Sequence, residues 1–181
     1  LLDMPAGDPC GTAVIAHPHP LFGGTMTNKV VQTLARAFVQ TGWRAVRFNF
    51  RGVGASAGTY DEGRGEATDM LDVVRQVAPE GPLALAGFSF GAFVTSHVVA
   101  QLDPRQPQKI VLVGTAASRF SVAPIAPDLH ERTLVLHGEQ DDTVVLSSVM
   151  DWARPQSLPV TVIPGVEHFF HLSLIHISEP T

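Results

Sequence analysis

Leu83-Ala84-Leu85-Ala86-Gly87-Phe88-Ser89-Phe90-Gly91-Ala92 is the stretch whose reading decides the fold. Its apolar opening ends in Gly-Phe-Ser-Phe-Gly and passes at once into Phe93-Val94-Thr95-Ser96-His97-Val98-Val99-Ala100, the pattern of a strand, a very sharp turn and a helix. In G-x-S-x-G the glycines flank a serine held at strained backbone angles, because strand and helix pass so close that a Cβ would collide. Ser89 Oγ then stands clear at the carboxyl end of a central strand. The free N–H groups opening the next helix face any negative charge that develops on a substrate carbonyl. A glycine-rich strand-to-helix turn in another kind of α/β protein would carry the same five residues, so the rest of the chain has to separate the two readings.

Working outward, the elements alternate. Thr12-Ala13-Val14-Ile15-Ala16 is a buried strand by its continuous apolar character, and it runs into His17-Pro18-His19-Pro20-Leu21-Phe22-Gly23-Gly24, where prolines stop both ladder and helix. Thr27 or Asn28 caps a helix with Val30, Val31, Leu34, Ala35, Phe38 and Val39 at helical spacing, ended by Gly42. Trp43 to Phe50 reads as the next strand, followed by a glycine-rich loop from Arg51 and a helix from Glu66 to Val77. Lys109 to Gly114, Arg132 to Gly138 and Pro159 to Ile163 are further strands, with loop and weak helix between Val144 and Leu158. Strands that are apolar throughout, alternating with helices, predict a mainly parallel sheet with helices on both faces, a three-layer α/β domain with its sites at the carboxyl ends of strands. Between Gly114 and Arg132 there is room only for a loop with a turn of helix, so the site should be open, without a helical lid.

Composition narrows the class. The 181 residues are 45% hydrophobic and 16% charged with a net charge of -5, which excludes a disordered tail and offers no Lys/Arg field for nucleic acid. One cysteine, Cys10, asks for no oxidising compartment, and no apolar run is long enough to span a membrane, so a soluble cytoplasmic protein is the expectation. The oligomeric state is open. Residues 1–172 are expected to form a single domain. Ser173 to Thr181 read as a translated sequencing-adapter tail and the chain opens with Leu1 rather than Met, so a fragment lacking native sequence at both ends is expected.

A serine hydroxyl needs a neighbouring base, and the base an orienting acid. His168 lies in a loop past the last strand and Asp141 in a loop past the strand before it. The order Ser89, Asp141, His168, each at the end of a strand, is the order of the G-x-S-x-G class. Taken singly, His168 could be a loop histidine, and Asp141 a turn or cap residue beside its rival Asp142. One oxyanion donor is the N–H of Phe90. The other belongs to the loop after the first long strand, where Pro18 and Pro20 have no N–H, leaving His19, Leu21 or Phe22. His17 and His19 lack a third ligand at any metal-site spacing, and Arg51-Gly52-Val53-Gly54 lacks the spacing of a nucleotide turn, so neither metal nor cofactor is expected. His17 should bond locally to shape its loop, and Arg51 should form a structural ion pair. Phe22, Phe88, Phe90, Phe169 and Phe170 either form an apolar acyl pocket or fill the core.

These motifs, with His-Pro-His-Pro-x-x-Gly-Gly at His17 to Gly24, Arg47-Phe48-Asn49-Phe50-Arg51-Gly52, His137-Gly138-Glu139-Gln140-Asp141 and Gly165-Val166-Glu167-His168-Phe169-Phe170, resemble those of the α/β-hydrolase fold superfamily. Within it the chain is similar to small lidless bacterial hydrolases near the esterase, thioesterase, dienelactone-hydrolase and Xaa-Pro dipeptidyl-peptidase-like groups. The family's acid falls on Asp141, in a Gly-x-x-Asp-x-x-Val-Pro pattern whose proline position is Val145 here. The resemblance implies a serine hydrolase that cleaves a small ester or thioester through an acyl-enzyme. A peptidase acting after proline and a non-catalytic binding scaffold are the alternatives.

Overall fold

The apolar runs, broken by glycine and proline, become seven strands of one sheet in the computed structural model, which describes residues 1–102 and 106–171. The strands are β1 (Leu2–Asp3), β2 (Thr12–Ala16), β3 (Arg44–Arg47), β4 (Leu83–Phe88), β5 (Lys109–Val113), β6 (Thr133–Gly138) and β7 (Thr161–Ile163). They lie in the order β1-β3-β2-β4-β5-β6-β7. Only the β1–β3 pair is antiparallel, with Leu2 opposite Val46. β4 is the middle strand, pairing Ala13 with Ala84 on one side and Gly87 with Leu112 on the other. All five residues of β2 and all six of β4 are buried, which is why they read as continuous apolar runs.

Helix α1 (Lys29–Gln40) starts where Asn28 Oδ1 accepts the Val30 and Val31 N–H groups. It packs Val30, Val31, Leu34 and Phe38 with Trp43, Ala84, Ala86 and Phe88 into one apolar cluster on its face of the sheet. Helices α2 (Arg64–Val77), α3 (Phe90–Gln101) and α4 (Leu146–Ala153) supply Met70, Val74, Val94, Val98 and Val149 to the cluster on the opposite face. The result is a three-layer α/β/α arrangement in which α3 is enclosed between sheet and neighbours, so its sequence shows no polar stripe. Among the described residues, no helix is long and apolar enough to cross a membrane.

Some boundaries differ from the sequence reading. The strand expected over Trp43 to Phe50 ends at Arg47, because Phe50 N–H leaves the ladder and donates to His17 Nε2 at 3.0 Å while Asn49 Oδ1 accepts Met26 N–H. α2 begins at Arg64, two residues before Glu66, whose buried carboxylate accepts the Asp61 and Gly63 N–H groups and so closes the helix entrance. The segment from Gly114 to Arg132 holds a single 3-10 turn, Pro127–Arg132. The expected tail, Ser173 to Thr181, lies outside the described residues.

Candidate active site

At the end of β4 the chain turns into α3 through Ser89, at φ 56° and ψ −114°. Nothing in a serine side chain favours those angles, so the packing around it imposes them. A Cβ on Gly87 would stand 2.3 Å from the carbonyl of Gly91, and one on Gly91 would stand 2.3 Å from Ala16 O at the end of β2. Strand, turn and helix therefore touch backbone to backbone, and Ser89 N–H donates to Val113 O at 2.8 Å on the neighbouring strand.

The structure brings Ser89, His168 and Asp141 together. His168 Nε2 lies 3.1 Å from Ser89 Oγ, and His168 Nδ1 lies 2.6 Å from Asp141 Oδ2. All three residues are buried. The other carboxylate oxygen, Oδ1, accepts the Thr143 and Val144 N–H groups at 3.0 and 2.7 Å, so both oxygens of Asp141 are engaged and its orientation is fixed. Asp142, the rival in sequence, is exposed. With Asp141 accepting from Nδ1–H, His168 presents the Nε2 lone pair to the serine hydroxyl, the tautomer that a general base requires. The loop carrying His168 descends onto β6 because Gly138 lets Val166 O approach to within 2.3 Å of where a Cβ would be. It is anchored by Phe170, which is fully buried in the cluster beneath α1.

A second buried histidine, His137, stands 3.6 Å from the same oxygen of Asp141. It donates from Nε2 to Val144 O, and burial holds its pKa below the ordinary value, so it clips the acid loop as a neutral ring. His17 shapes its loop as expected: it donates from Nδ1 to Pro18 O and accepts Phe50 N–H on Nε2. Burial lowers its pKa to about 4. Arg51 forms its ion pair with Asp69 at 2.8 Å.

Of the three loop residues considered for the second oxyanion donor, two have their N–H groups spent. Leu21 N–H donates to His19 Nδ1 and Phe22 N–H to His19 O, bonds that build the 3-10 turn Pro20–Phe22. The N–H groups of His19 and of Phe90, the first residue of α3, have no acceptor among the described residues.

An open cleft of about 380 Å³ lies over Ser89 and His168. Phe22 and Phe169 line it with exposed rings, whereas the rings of Phe88, Phe90 and Phe170 are buried in the core. Ala116, Arg119 and Phe120, from the loop past β5, complete the wall and escaped the sequence reading. Their signal was topological: a loop leaving the carboxyl end of the strand next to β4 has to border the site.

The model of the family described as "Serine aminopeptidase, S33" matches residues 8–126, about two thirds of the chain and a stretch that includes Ser89. The chain belongs to that family. This hydrolase is also 32% identical to an uncharacterised protein of Rickettsia prowazekii over 190 residues, covering 92% of this chain and 75% of the relative. Among solved structures it is similar to XC6422 of Xanthomonas campestris, an α/β serine hydrolase without a lid, at 37% identity and TM-score 0.87, with 98% of this chain and 83% of that one covered. An α/β serine hydrolase homologue from Coxiella burnetii matches at 37% identity and TM-score 0.82, over 98% and 86% of the two chains. Fold and triad geometry together give a serine hydrolase of the α/β superfamily, arranged for ester or thioester hydrolysis.

Proposed function

We propose that Ser89 is the nucleophile, His168 the base and Asp141 the orienting acid in hydrolysis of a small ester or thioester. The observation that carries this reading is the unbroken relay from Asp141 Oδ2 through His168 to Ser89 Oγ, opening on an apolar cleft. Ser89 Oγ forms a bond to the carbonyl carbon while its proton passes to His168 Nε2, and the oxyanion is held by Phe90 N–H and His19 N–H. His168 then returns the proton to the departing alkoxide or thiolate as the C–O or C–S bond breaks. Water, deprotonated by His168, splits the acyl-enzyme to a carboxylic acid and free Ser89. Residues 1–172 form the catalytic unit in this reading, and the free, exposed Cys10 suits the reducing cytoplasm.

The family's name invites an aminopeptidase reading, which calls for carboxylates to hold a substrate ammonium group. Among the described residues lining this cleft no Asp or Glu occurs, and the charged side chain there is Arg119. That charge disfavours an N-terminal amine and favours the ester reading. Labelling with a fluorophosphonate probe, followed by mass mapping, tests the nucleophile: a tag on Ser89 that disappears in Ser89→Ala and is strongly reduced in His168→Ala supports the mechanism. A folded protein that takes no label overturns it.

A further inference from the structure

Arg119 is the unexplained charge of the site. Its backbone N–H closes a turn onto Ala116 O, but its guanidinium makes no hydrogen bond or ion pair with any described residue. Glu66, which acts on His19, accepts two backbone N–H groups, and Glu62, which shares with Arg119 a second cleft beside Phe120, faces Arg64 at 3.6 Å. On the active-site side, Arg119 stands with Phe120 and His19, whose imidazole burial and the Arg119 charge hold below its ordinary pKa, against a weaker opposing pull from Glu66. An unpaired guanidinium on the rim of an otherwise apolar cleft recognises an anion, and its planar fork fits a carboxylate.

The reaction geometry says which end of the substrate meets it. The leaving atom must face His168 Nε2 to collect its proton, and Phe169 lies beside His168. The acyl part therefore runs the other way, past His19 toward Phe120 and Arg119. We propose that this hydrolase selects hemiesters or hemithioesters of dicarboxylic acids, whose short apolar acyl chain lies on Phe120 and ends in a carboxylate held by Arg119. The inference rests on the serine-hydrolase reading above.

The test is kcat/KM, corrected for uncatalysed hydrolysis, on para-nitrophenyl hemiglutarate and on its neutral isostere in which two methyl groups replace the carboxylate oxygens. Wild type should favour the hemiglutarate. Arg119→Gln should lower the ratio of the two values roughly fivefold, chiefly through KM, which is the scale of a partly exposed ion pair. Arg119→Lys should restore most of it, and added salt should erode it in wild type. An unchanged ratio in Arg119→Gln, or a wild-type enzyme that labels at Ser89 yet prefers the isostere, overturns the carboxylate selection and leaves the serine-hydrolase reading standing. A protein that neither labels nor cleaves either ester overturns that reading and this inference with it.

Discussion

Asp141 shows how few atoms separate the proposed orienting acid from a turn residue. One of its oxygens does what any turn aspartate does, accepting two N–H groups from Thr143 and Val144, and only the other reaches His168. Asp141→Asn keeps an oxygen for the loop but presents an amide that cannot hold His168 in the same tautomer. It should lower kcat by about 10⁴-fold while the melting temperature moves little, as read by steady-state kinetics beside a thermal melt. Turn chemistry alone does not separate Asp141 from Asp142, since both suit a turn, and in the sequence only the family resemblance favours Asp141. The difference is burial, Asp141 being inside and Asp142 at the surface.

At the scale of elements, the site is made by close approach. Ser89 comes from the β4–α3 turn, Asp141 from the loop after β6 and His168 from the loop after β7. Gly138→Ala places a methyl against Val166 O and should push the His168 loop away from β6. The expected outcome is a loss of about 2 kcal/mol by urea denaturation, together with a fall in kcat larger than the fall in stability explains. Phe170→Ala empties a fully buried site in the cluster under α1 and should cost about 3 kcal/mol or more. It should also raise the exchange rate of amides in the 164–171 loop. By contrast, Asn28→Ala removes the α1 cap and should cost about 1 kcal/mol, measured by the same denaturation experiment.

At the scale of the whole molecule, burial lowers the pKa of His17 and His137, and these two interior histidines make the fold acid-sensitive. Unfolded His17 takes up a proton near its ordinary value of 6.5, but folded His17 does so only near about 4. Between these values the unfolded chain binds more protons, so stability is present in full above the upper value and falls as the pH drops toward the lower one. For His17 the loss amounts to about 3 kcal/mol, and buried His137 acts in the same direction. Denaturation curves between neutral pH and pH 4 should show the decline. His17→Gln, which keeps an acceptor for Phe50 N–H, should make the curve flatter.

The chain by itself determined the alternation of strands and helices, the nucleophile turn, and the order of serine, acid and base, because each is written in a local pattern: apolar runs, glycines around a serine, polar residues just past a strand. Only the tertiary structure decided the rest. It ended β3 at Arg47 by drawing Phe50 N–H to His17, spent the N–H groups of Leu21 and Phe22 on His19, and sent Phe88 and Phe170 inward while Phe22 and Phe169 stayed at the cleft. It also brought the loop after β5, with Arg119, beside Ser89. Such outcomes depend on which distant groups compete for one donor or one volume, and that competition exists only once β2, β4, β5 and β6 lie side by side.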